Sequence, residues 1–99
     1  MKNLQGALLL LFSLLFSNIT AQNETPLIYR INIRENIGSN SWIHLQNGMH
    51  EARQKEAHAI LLHMNTYGGG VLEADSMRTA ILNSSLPVYV FIDNNAASA

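Results

Sequence analysis

Leu86-Pro87-Val88-Tyr89-Val90-Phe91-Ile92-Asp93-Asn94-Asn95-Ala96-Ala97-Ser98-Ala99 is the stretch whose reading decides the fold. Pro87 can open a strand, because its missing N–H costs nothing at a first position. Val88 to Ile92 is an unbroken β-branched and aromatic run. Such a run predicts a strand buried on both faces, as in a parallel sheet. Three polar residues come next as a turn, then Ala96-Ala97-Ser98-Ala99. Small neighbours let a substrate carbonyl and the backbone approach the serine hydroxyl closely. Ser98 is therefore a candidate nucleophile.

Working outward, the preceding chain supplies two βα units. Leu27 to Arg34 alternates, with Tyr29, Ile31 and Ile33 on one side and Arg30, Asn32 and Arg34 on the other. That pattern predicts a half-exposed strand near a sheet edge. Glu35 to Asn40, with Gly38, is a turn, and Ser39 or Asn40 can cap a helix. Trp42, Leu45, Met49 and Ala52 then share one helical face. Gly48 weakens that helix by about 1 kcal/mol against alanine, and close packing is the one reason for it. Ala57 to Met64 reads as a second, buried strand, and Asn65 to Gly70 as a glycine-rich turn. Val71 to Asn83 is a second helix, with Ala74, Met77 and Ile81 inward; Asp75 and Arg78 form a minor surface pair. Ser84 to Pro87 ends it, and a third helix is expected to begin near Ser98. Strand–helix–strand–helix–strand predicts an α/β fold of βαβ units with a parallel sheet and right-handed crossovers.

Ninety-nine residues make at most one domain. Met1-Lys2-Asn3, the apolar run Leu4 to Phe16 and the small residue Ala21 predict a signal peptide over residues 1–21. The apolar run falls short of the roughly 20 residues that span a bilayer. Residues 22–26 read as a flexible lead-in, and 27–99 as the N-terminal part of an incomplete domain. The chain has no cysteine, which excludes a disulfide framework and a thiolate metal site. The formal net charge is −1 and no basic patch is visible, which argues against nucleic acid as a partner. His44, His50, His58 and His63 form no metal pair with a carboxylate, so they read as surface or satisfied core residues. No metal and no cofactor are expected. Lys55 falls on a helix exterior and is a poor candidate for a base.

In a parallel sheet all strands end on one side, so the glycine turn after the second strand and Ser98 after the third converge there. Gly68 and Gly69 can adopt positive φ and turn backbone N–H groups towards a ligand. With the Ala99 N–H they are the parts of an oxyanion hole around a hydroxyl. Taken singly, the triplet also fits an ordinary βα turn and Ser98 an ordinary helix cap. The triplet is not continued by Gly-Lys-Ser/Thr, which excludes a phosphate-binding loop.

Asn65-Thr66-Tyr67-Gly68-Gly69 resembles the Asp/Asn-Thr/Ser-Pro-Gly-Gly turn of the Clp protease and crotonase-like superfamily. Its spacing to Ala96-Ala97-Ser98-Ala99, the export signal and the Val-Tyr-Val-Phe-Ile-Asp-Asn-Asn lead-in make the chain most similar to the NfeD group, the membrane-bound Clp-class serine proteases. The resemblance covers nearly all of Leu27 to Ala99. It implies that Ser98 is the nucleophile and that Gly68 or Gly69 lines the oxyanion hole, without choosing between them. It implies a lysine base some forty residues beyond the serine, so this chain alone would be an inactive fragment. Tyr67 stands where the superfamily usually has proline; it loosens the turn or, with Gly70, faces substrate. The resemblance further implies membrane attachment through later segments, a protease domain outside the cytosol, a homo-oligomer, and a stomatin-like membrane protein as substrate. The rivals are a signal-peptide peptidase of the same superfamily, which typically continues Ala-Ser with Gly-Gly, and a non-catalytic binding module on the same scaffold.

Overall fold

A computed structural model of the chain describes residues 25–99. The signal-peptide expectation, and the lead-in up to residue 24, lie outside them. Thr25 and Pro26 are exposed coil. The elements in order are β1 (Ile28–Ile33), α1 (Ser39–Gln54), β2 (Ala59–Thr66), α2 (Val71–Leu82) and β3 (Val88–Ala96). The three strands form one parallel sheet in the order β1-β2-β3. This is the α/β architecture that the alternating βα pattern predicts.

The register explains the core. Ile31 pairs with Leu62 and Leu62 with Val90, so their side chains share one face. On that face Ile31, Ile33, Ile60 and Leu62 meet Leu45, Met49 and Ala52 of α1 and Met77 of α2. The helices also pack on each other. Burying four aliphatic side chains in this way is worth about 1.5–3 kcal/mol each. Gly48 lets α1 sit down on β1: a Cβ there would come within 2.8 Å of Ile31 Cδ1. Close packing is thus the reason for that glycine.

The helix ends differ from expectation. Gly38, not Ser39 or Asn40, is the N-cap of α1. The buried Ser41 does the capping from inside the first turn. The Gly38 N–H donates to Ser41 Oγ (2.8 Å), and the Ser41 hydroxyl donates back to the Gly38 carbonyl (3.0 Å). At the other end Glu56 takes φ 55°, the Ala57 N–H donates to the Ala52 carbonyl (3.0 Å) and the Glu56 N–H to that of Arg53 (3.1 Å). That is a Schellman ending with glutamate in the left-handed position.

β3 corrects the opening expectation. It is not buried on both faces: Tyr89, Val90, Phe91 and Ile92 are exposed. Among the described residues β3 pairs with β2 alone, and Tyr89 and Phe91 project from the face that carries no helix. A hydrophobic run records affinity for burial, not which neighbours are present. β3 also runs on through the expected polar turn to Ala96. β2 extends to Thr66, two residues past its expected end.

Candidate active site

The site lies at the carboxyl rim, where β1, β2 and β3 all end. The turn after β2 is held from two sides. Ile37, in the β1–α1 loop, forms a parallel bridge with Gly69. The Ile37 N–H donates to the Gly68 carbonyl and the Gly70 N–H donates to the Ile37 carbonyl, both at 2.8 Å. Gly69 is pressed so close to Ile37 that a Cβ would fall 2.2 Å from its carbonyl oxygen. From within the strand, the buried Thr66 Oγ1 accepts the Gly68 N–H at 3.1 Å. The backbone can do this because Gly68 and Gly69 take φ of 104° and 154°, which L side chains resist.

β3 reaches this turn through a bulge. Met64 pairs with Ile92 but Thr66 with Ala96, so β2 advances two residues while β3 advances four. The extra length is absorbed at Asn94, at φ 71°, a conformation asparagine tolerates better than most side chains. Bulges bend a strand and re-aim the residues beyond them. Here Asn95 Oδ1 then accepts the Ala97 N–H (3.0 Å), and the chain turns. Ser98 arrives against Gly68: a Cβ on that glycine would meet the Ser98 carbonyl oxygen at 2.4 Å and Ser98 Cβ at 2.5 Å.

Each sequence-predicted residue now has a place. Ser98 is exposed at the rim and in contact with Gly68. Of the glycine amides, that of Gly68 is engaged by Thr66, that of Gly70 by Ile37, and that of Gly69 has no partner among the described residues. The Ala99 N–H makes a long turn bond to the Ala96 carbonyl (3.4 Å). Tyr67 is 78% exposed, its ring standing out from the rim. Gly70 is the N-cap of α2. An apolar cleft of about 200 Å³, lined by Ile37, Leu62, Met64, Met77, Ile81 and Ala99 among others, opens beside Ser98's neighbour. Ala97 and Ser98 form a turn, and the residues described do not test the helix expected to begin near Ser98.

Two residues of the site are not evident from the sequence. Thr66 reads there as part of the turn, although a threonine two residues before a glycine is the spacing of a side-chain-to-backbone turn. Ile37 is an isolated apolar residue in a polar loop, a signal that something there is buried.

No described side chain hydrogen-bonds the Ser98 hydroxyl. Lys55 sits at the end of α1, paired with Glu51 (3.0 Å), at the amino rim of the sheet. β2 alone separates the two rims by about 25 Å. Three of the four histidines have partners elsewhere, and His50 is exposed on α1. His63 pairs with Asp93 (3.2 Å) and contacts Arg30. His58 Nδ1 accepts the Leu27 N–H (2.9 Å), and His44 Nε2 donates to the Asn32 carbonyl (3.0 Å).

The chain is similar to known proteins. The chain is 32% identical over 100 residues to membrane protein NfeD1b of Bacillus subtilis (strain 168), a match covering 99% of this chain and 23% of the relative. The chain belongs to the NfeD family. It spans about a quarter of that NfeD relative's length. No family model matches it. Among solved structures it resembles a serine-to-alanine mutant of the 1510-N membrane-bound stomatin-specific protease, with TM-score 0.64 and 24% identity over 68% of this chain and 32% of that one. A lysine-to-alanine mutant of the same protease, in complex with a substrate peptide, gives TM-score 0.63 and 24% identity over 67% and 30%. The 1510-N membrane protease specific for a stomatin homolog, from Pyrococcus horikoshii, gives 0.61 and 24% over 68% and 34%. These likenesses show that the NfeD chain has the Clp-protease-like fold. No helix among the described residues is long and apolar enough to cross a membrane.

Proposed function

We propose that the protein is a membrane-associated serine endopeptidase in which Ser98 attacks a peptide carbonyl. The oxygen of the tetrahedral intermediate is stabilised by backbone N–H groups, that of Gly69 foremost, with Ala99 as the second donor once its long bond to Ala96 is released. Gly68 contributes by having no side chain, which admits Ser98 to the turn. No described residue supplies the base. We assign that role to a lysine kept neutral by desolvation, which takes the serine proton and returns it to the leaving amine. The observation that carries the reading is the contact of Ser98 with Gly68 beside the unpartnered Gly69 amide.

The solved relatives are proteases described as specific for stomatin or a stomatin homolog. By that likeness a stomatin-like membrane protein is the substrate class we assign, and a homo-oligomer the assembly. Met1-Lys2 and the apolar run after it act as an export signal in this reading, with the protease domain outside the cytosol. A reporter enzyme that matures only outside the cytosol, fused behind Ala99, should be active; an inactive but stable fusion would refute export.

The central test is hydrolysis of a stomatin-derived peptide by the full-length protein. Ser98→Ala should lower kcat by about three orders of magnitude or more, as loss of a nucleophile does. Wild-type turnover in that variant would overturn the reading.

A further inference from the structure

The three successive amides of the glycine turn have three different fates, and one side chain decides the first. Thr66 is 3% exposed at the end of β2, opposite Ala96 in the ladder. A hydroxyl buried that deeply needs a partner. Its Oγ1 takes the Gly68 N–H, two residues on, at 3.1 Å. Gly68 is thereby tied on its amide side to Thr66 and on its carbonyl side to the Ile37 N–H. The consequence falls on the next peptide unit. A trans peptide points its N–H opposite to its C=O. Since the Gly68 carbonyl faces Ile37, the Gly69 N–H faces away from Ile37. That amide is the one of the three with no partner among the described residues.

We propose that Thr66 is a positioning residue: its hydroxyl locks Gly68 in the left-handed conformation and so fixes the Gly69 amide as the turn's outward donor to the substrate oxyanion. The inference rests on the peptidase reading above and goes beyond it, because it gives a buried, non-contacting side chain a part in the rate of the chemical step. Without the Thr66 acceptor, the Gly68 N–H becomes available, the turn gains a competing orientation, and the donor is aimed correctly only part of the time. An oxyanion donor acts in the transition state, so the loss appears in kcat, with KM little changed.

The experiment compares Thr66→Val, which keeps the shape and removes the acceptor, with Thr66→Ser, which keeps the acceptor. Peptide hydrolysis by the full-length protein is normalised to active sites titrated with a fluorophosphonate, so that unfolded molecules drop out. Thr66→Val should lower kcat roughly 10- to 100-fold with KM within about threefold, and Thr66→Ser should restore it. A normalised kcat at the wild-type level in Thr66→Val overturns the proposal. So does an equal loss in Thr66→Ser. Ser98→Ala, run in parallel, separates the two claims. Hydrolysis lost there but kept in Thr66→Val sinks the positioning role alone; hydrolysis kept in Ser98→Ala sinks the peptidase reading and this role with it. Should Thr66→Val fail to fold, amide exchange in the wild-type protein still decides. Gly68 should be protected and Gly69 exchange faster; the reverse order overturns the clamp.

Discussion

Gly68 is where conformation and proximity meet in one residue. Its φ of 104° disfavours any L side chain, at about 1–2 kcal/mol. Its missing Cβ is also the space that Ser98 occupies, and the obstructing atoms include Ser98 backbone, which cannot swing aside as a flexible side-chain end could. Gly68→Ala should therefore lower stability by about 1–2 kcal/mol in urea and also cost hydrolysis in the folded fraction. Full activity in a folded Gly68→Ala protein would show that the contact with Ser98 is incidental. Glu56 is the converse case, a side chain where glycine belongs. At φ 55° in a Schellman ending it carries a strain that glycine lacks. Glu56→Gly should raise unfolding stability by about 0.5–1 kcal/mol; a loss of that size would mean that the glutamate side chain contributes something its exposed position does not suggest. Both glycines of the turn and Ser98 were legible as residue types in the sequence. Ile37 was not, because its bonds to Gly68 and Gly70 run across segments, and spacing along the chain carries little trace of them; Thr66 was not, because its local bond to the Gly68 N–H is one of several conformations the same spacing allows.

At the scale of elements, β1 and both helices were legible because each shows a clean period. Tyr29, Ile31 and Ile33 alternate, and Leu45, Met49 and Ala52 repeat at helical spacing. Element ends were less so. β3 continues through Asp93-Asn94-Asn95 because ladder pairing and a bulge can carry polar residues that local propensity assigns to a turn. β1 and α1 are further joined at the surface by a cluster with its own pH dependence. The Tyr29 hydroxyl donates to Glu51 Oε2 (2.5 Å), and Lys55 pairs with Glu51 Oε1 (3.0 Å). The hydrogen bond from Tyr29, then Lys55, holds the Glu51 carboxyl below its ordinary value near 4.5. The same bond to Glu51, then desolvation, pushes Tyr29 above its ordinary value near 10. A lowered acid contributes stability that is complete above its ordinary value and fades as pH falls through the lowered one. A raised phenol contributes stability that is complete below its ordinary value and fades as pH rises through the raised one. The cluster therefore acts across the neutral range. In urea melts, the difference between wild type and Tyr29→Phe should be visible at neutral pH and shrink in acid well below the ordinary glutamate value. A difference unchanged by acid would remove Glu51 from the explanation.

On the scale of the whole molecule, the parallel sheet does one thing for function. It brings the loops after three strands to a common rim, so that Ile37, Gly69 and Ser98, distant in sequence, share one small region. The order of elements was enough to expect that convergence. The exposure of β3 was not expected, since an apolar strand does not say what lies beside it. The most direct measurement is labelling of the full-length protein with a fluorophosphonate, then peptide mass mapping. A serine made nucleophilic by its surroundings should carry the adduct at Ser98, and Ser98→Ala should carry none. An intact, folded protein that takes up no label, or takes it up at another residue while Ser98 stays free, would contradict the assignment of this rim as a peptidase site.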